Sequence, residues 1–101
     1  MNNQFGSKIR LLREQHKLFL RQVAPLLEMD TAQLSKIEKG CRQMKKEHIK
    51  LIADIYGTDK TYLETLWLAD QIIEVVKDSN AALQAISVAS NQIKDKSTTN
   101  I

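Results

Sequence analysis

The stretch from Asp30 to Gly40 most constrains what this chain can build. Asp30 is a strong helix N-cap, Thr31-Ala32-Gln33 open a helix, and Gly40 is the expected left-handed terminator. Between them Leu34 and Ile37 are the only large apolar residues. Thr31, Ala32, Gln33, Ser35, Lys36 and Lys39 stand off that seam. A helix this short, with so thin a seam, leaves most of its side chains facing outward. It reads as a helix that presents residues to something, held in place by its neighbours.

Those neighbours are also predicted to be helices. The first runs from Gln4 to Gln15, capped by Asn3, with Phe5, Ile9 and Leu12 on one stripe. Lys8, Arg10 and Arg13 lie off it. A second spans Leu20 to Glu28 with Val23, Ala24 and Leu27 inward, and Pro25 either delays its start or bends it. A fourth spans Lys45 to Tyr56, with Ile49, Ile52, Ala53 and Tyr56 on one face, and Gly57 stops it. Asp59 caps a fifth that reaches Lys77 or beyond. Its apolar residues (among them Tyr62, Leu63, Leu66, Leu68 and Val75) exceed what one face needs. After a break at Asp78-Ser79-Asn80, a sixth helix covers Ala81 to Lys94, with Leu83, Ile86, Ser90 and Ile93 at packing-seam spacing. Three Gly and one Pro suit such a helical chain and not a turn-rich β fold.

The charge is unevenly placed. The total is +3 over 101 residues. Residues 1–60 hold twelve Lys/Arg against seven acids, and residues 61–101 hold three against five, so +3 divides into +5 and −2. A functional division near residue 60 follows. No apolar run is long enough for a membrane span. Met1-Asn2-Asn3-Gln4 lacks the basic and apolar regions of a signal peptide. One Cys excludes an internal disulfide and suits a reducing, cytoplasmic setting. The sparse Cys and His give no metal pattern, and no phosphate loop or nucleophile elbow is present. No cofactor, small-molecule ligand or enzymatic activity is expected.

Two short helices, a tight turn and an exposed third helix make a helix-turn-helix. The run Val23-Ala24-x-x-Leu27-x-Met29-Asp30-x-x-x-Leu34-Ser35-Lys36-Ile37-Glu38-Lys39-Gly40 resembles the Xre/Cro–CI family of repressor domains. The resemblance covers about residues 5–66. Within that family the chain is similar to the controller proteins of restriction–modification systems. The resemblance implies an all-α chain: a five-helix, lambda-repressor-like DNA-binding domain with a C-terminal helical extension. The expected parts are a DNA-binding domain over 1–66, a dimerisation segment over 67–95 and a frayed tail over 96–101.

The resemblance also assigns roles. Thr31 and Ala32 match the first base-reading positions, Gln33 a position near bases or phosphates, and Lys36 can reach a base edge one turn on. Lys suits guanine acceptors, and Thr and Ala methyls can meet a thymine methyl. Arg42, Lys45 and Lys46 surround the next turn as phosphate contacts, with Ser35 and Lys39 beside them. The bland alternative for these faces is a solvated, solubilising surface. Glu38 would repel phosphate; in the family this acid pairs with a helix-1 base, and Arg13 matches that position. The sequence departs from the family at Phe19 and Leu20, where a capping residue and a phosphate-holding Gln are common. Arg21 is the expected substitute. Glu28 stands where the turn commonly has Gly.

One such motif reads few base pairs, so a homodimer on double-stranded DNA is expected. Trp67, Ile72, Ile73, Val76, Leu83, Ile86 and Ile93 are the candidate interface, with Tyr62, Leu63 and Leu66 closing the core. The alternative is that the sixth helix folds back over the fifth. The leading function is a dimeric transcriptional regulator. The other reading is an antitoxin-like, protein-binding module.

Overall fold

Side-chain caps mark where several helices begin in the computed structural model, which describes residues 3–99. Helix α1 (Gln4–Gln15) starts at Asn3, whose Oδ1 accepts the Gly6 amide at 2.7 Å. Helix α2 (Leu20–Val23) follows Phe19, which has no acceptor to offer. Gln22 Oε1 instead reaches back to accept the Phe19 amide at 2.7 Å. Asp30 Oδ1 accepts the Gln33 amide at 2.7 Å and opens α3 (Thr31–Glu38). Helix α4 (Lys46–Tyr56) follows Lys45 and has no side-chain cap. Asp59 Oδ2 accepts the Tyr62 amide at 3.0 Å at the head of α5 (Lys60–Val76). Helix α6 (Ala82–Thr99) completes an all-helical chain, with no strand among the described residues.

Two elements differ from the sequence expectation. The second helix does not stay α-helical to Glu28. Pro25 has no N–H to bond the Arg21 carbonyl, so the chain tightens into a 3-10 helix over Ala24–Leu27. It ends at Glu28 with φ +55°. That left-handed backbone costs a non-glycine residue about 1–2 kcal/mol, which is why glycine is common there. The sixth helix runs past Lys94 to Thr99. No Gly or Pro interrupts Asp95–Thr99, and Lys96 lies in the last turn, where a cation complements the helix dipole. The expected tail over 96–101 is therefore helical as far as Thr99. Asn100 and Ile101 lie outside the described residues, as do Met1 and Asn2 of the expected first domain.

The chain divides into two units, Met1–Asp70 and Gln71–Ile101. In the first, α1 packs on α3 and α4, and α3 packs on α2. The core combines Phe5, Ile9 and Leu12 with Val23, Ala24, Leu27, Leu34 and Ile37. Met44, Ile49, Ile52, Ala53, Tyr56 and Leu63 complete it. Each fully buried aliphatic side chain contributes about 1.5–3 kcal/mol of transfer free energy. The phenol of Tyr56 is held neutral, its pKa pushed up to about 12 by burial and then by the nearby Glu38 charge.

The first unit extends to Asp70. Asp70 Oδ1 and Oδ2 accept the Gln4 and Phe5 amides at 3.0 and 2.9 Å, tying α5 to the N-terminus of α1. Trp67 packs on the same core and donates its indole N–H to the Met44 carbonyl at 2.7 Å. Its indole N–H is thereby engaged within the first unit, while the ring is half-buried. Tyr62 does not close the core. It is exposed, with Lys8 Nζ 5.6 Å from its ring centroid.

The second unit has a different character. No described residue from Gln71 to Lys96 is buried. Ile72, Ile73, Ile86 and Ile93 are exposed, and Val75 and Leu83 are 83% and 80% exposed. Helix α6 therefore does not fold back to cover these residues, because both sides of the supposed contact stay open.

Candidate nucleic-acid interface

The exposed face of α3 is built from its capping outward. Leu34 and Ile37 are buried, which turns Thr31, Ala32, Lys36 and Lys39 to the outside and leaves Gln33 and Ser35 half-buried. At the far end Gly40 has φ +80°. Its amide bonds the Ile37 carbonyl at 3.1 Å and the Cys41 amide bonds the Lys36 carbonyl at 2.9 Å. This closes the helix without using any outward side chain.

Glu38 points the other way. Its side chain is only 4% exposed, and Arg13 grips it with two bonds, Nε to Oε2 at 2.8 Å and Nη2 to Oε1 at 3.0 Å. Arg13 Nη1 also donates to the Leu18 carbonyl at 2.9 Å. The hydrogen bond to Glu38 is the largest influence raising the Arg13 pKa, so the guanidinium stays charged at any accessible pH. The planar fork satisfies the carboxylate and fastens α3 to α1, and it keeps this acid off the outward face.

The turn after α3 carries three further cations. Arg42, Lys45 and Lys46 are exposed, while Met44 between them is buried. Lys45 and Lys46 stand at the N-terminal end of α4, where the helix dipole is positive. The structure thus brings Arg42, Lys45 and Lys46 into one turn directly after α3. Arg21 lies on α2, its Cζ 4.4 Å from the Phe19 ring centroid, a cation–π stack that Phe19 makes possible. Among the described residues no cluster could hold a metal ion, and no helix is long and apolar enough to cross a membrane.

Compared with known families, residues 4–66 match the model of a helix-turn-helix domain. The chain belongs to that family. No curated protein and no solved structure matches it. A helix-turn-helix domain places its second helix in the DNA major groove, and the first helix crosses the backbone. In this domain α2 with its 3-10 continuation is the first of the pair, and α3 is the second.

Three contacts that hold the first unit together escape local pattern reading. Gly6 sits where a Cβ would stand 2.5 Å from the Ile37 carbonyl oxygen and 2.7 Å from that of Glu38. A glycine inside a helical pattern is the one signal that could have marked it. Asp70 and the Trp67–Met44 bond act across the sequence and carry no local signature.

Proposed function

We propose that this helix-turn-helix domain is a sequence-specific, DNA-binding transcriptional regulator, active as a homodimer on a pseudo-palindromic operator. One observation carries the reading. The outward face of α3 offers Thr31, Ala32, Gln33 and Lys36 without an acid, because Glu38 is turned inward and paired. Base reading falls to Thr31, Ala32, Gln33 and Lys36. Phosphate contact falls to Ser35, Lys39, Arg42, Lys45 and Lys46, and to Arg21 on α2. The resemblance of residues 23–40 adds the narrower setting, control of a restriction–modification system in a bacterial cytoplasm.

Binding to paired duplexes tests the assignment. Lys36→Ala is expected to lower discrimination between operator and random DNA by roughly 5- to 150-fold, the range of one lost base contact. Lys46→Ala should weaken both duplexes alike and flatten the salt dependence by about one unit. Titrations over a salt series check this; identical behaviour of the two variants refutes the division into reader and phosphate contact.

The homodimer is supported by the second unit. Exposed Ile72, Ile73, Leu83, Ile86 and Ile93 and half-buried Val76 lie on helices with no buried residue among those described between Gln71 and Lys96. In proteins most helical stability comes from packing an apolar face against a neighbour, not from helix propensity. Residues 71–101 hold three Lys against three acids, so two copies meet without net repulsion. Half-buried Trp67 is kept in this proposed interface. Sedimentation at micromolar concentration is expected to show a dimer, and a monodisperse monomer refutes it. The same open face also suits the antitoxin-like alternative, in which a different protein covers it.

A further inference from the structure

We infer that Trp67 is a positioning residue for the phosphate-contacting turn. The inference rests on the DNA-binding reading above. The turn between α3 and α4 is held at its ends by backbone bonds, Cys41 N–H to Lys36 O at 2.9 Å and His48 N–H to Lys45 O at 3.0 Å. Between these ends Met44 is fixed twice. Its side chain is only 1% exposed in the core, and its carbonyl accepts the Trp67 indole N–H at 2.7 Å.

The second bond has a directional consequence. The Met44 carbonyl and the Lys45 amide share one planar peptide unit, and the chain contains no cis peptide bond among its described residues. In a trans unit the C=O and N–H point in opposite directions. With the carbonyl aimed at Trp67, the Lys45 N–H is aimed away from α5. The exposed side chains of Lys45 and Lys46 follow immediately. Trp67 thereby aims a backbone donor and sets the starting direction of two cations, while touching no nucleic acid itself. Its large ring packs on the core as well, so the turn is referenced to the fold and not left to solvent.

The test separates orientation from packing. Trp67→Phe keeps an aromatic ring and deletes the N–H. Expected is a roughly five-fold weaker affinity for operator and random duplexes alike, the size of one lost hydrogen bond, with a shallower salt dependence. In that background Lys46→Ala should lose less than it does in the parent protein, whereas Lys36→Ala should lose the same in both. A second measurement uses the unaltered protein. Trp67 is its one tryptophan, so the indole N–H resonance is unambiguous and should shift when random duplex saturates the protein. Unchanged affinity in Trp67→Phe, full additivity with Lys46→Ala, or a static indole resonance each overturns the inference. If Lys36→Ala and Lys46→Ala leave binding by the parent protein untouched, it is the DNA-binding reading that has failed.

Discussion

Replacing Arg13 by Ala is expected to cost the fold about 3–5 kcal/mol, the penalty for stranding a buried charge. Glu38 would keep its carboxylate, 4% exposed, with both Arg13 bonds gone. The Leu18 carbonyl would lose a donor in the same step. A loss of that size is a large part of the roughly 5–15 kcal/mol that holds a domain folded. The melting temperature should fall by roughly 15–30 °C, followed by circular dichroism. Salt should not restore it, because a pair this enclosed is only weakly screened.

A companion variant distinguishes an unpaired charge from a lost attraction. Arg13→Met combined with Glu38→Leu removes both ions and leaves apolar side chains of similar reach. Exchanges of this kind are often neutral or stabilising, so most of the stability should return. DNA affinity should fall in the single variant in proportion to unfolding and return in the double one, since neither residue faces outward. If Arg13→Ala melts close to the parent, the ion pair does not fasten α3 to α1.

How much of this was legible follows from how far each cause acts along the chain. Asn3, Asp30, Gly40, Gly57 and Asp59 each act within a few residues, and the boundaries of α1, α3 and α4 fall within a residue of where those signals place them. Pro25 announces a disturbance, and the 3-10 segment is the form it takes. Glu28 in the place of a turn glycine is likewise visible, and it takes the strained backbone a glycine would relieve. The faces of α5 are another matter. Its apolar residues are too numerous for periodicity to say which side turns inward, and Tyr62, expected to close the core, is exposed. Asp70 capping α1 joins residues at opposite ends of the first unit, and spacing carries no trace of that. For the interface the pattern marks which α3 residues face outward. It does not mark what aims the turn beyond them.

Gly6→Ala should destabilise the protein by about 2–4 kcal/mol, against the ordinary sign of such a change. In an open helix interior, Ala is better than Gly by about 0.8–1.0 kcal/mol. Here the added Cβ would meet the Ile37 carbonyl oxygen at 2.5 Å, the Glu38 carbonyl oxygen at 2.7 Å and the Asn3 cap oxygen at 2.7 Å. Two of these three are backbone atoms at the end of α3, so no flexible side chain can swing aside. Relief requires α1 and α3 to separate. That separation also pulls Arg13 from Glu38, and the two losses compound because both act on one helix contact. Overpacking a well-filled core costs typically 1–3 kcal/mol, and the coupled ion pair raises the expectation above that. Gly57→Ala is the comparison: nothing lies within 4 Å of its Cβ, and only its φ of +62° opposes the change. That variant should lose about 1–2 kcal/mol from backbone strain alone. Denaturant titrations of the two variants should therefore rank Gly6→Ala below Gly57→Ala. A Gly6→Ala protein as stable as the parent would mean that α1 and α3 do not approach this closely, and that α3 is not pressed against α1 by the contact that presents its outward face.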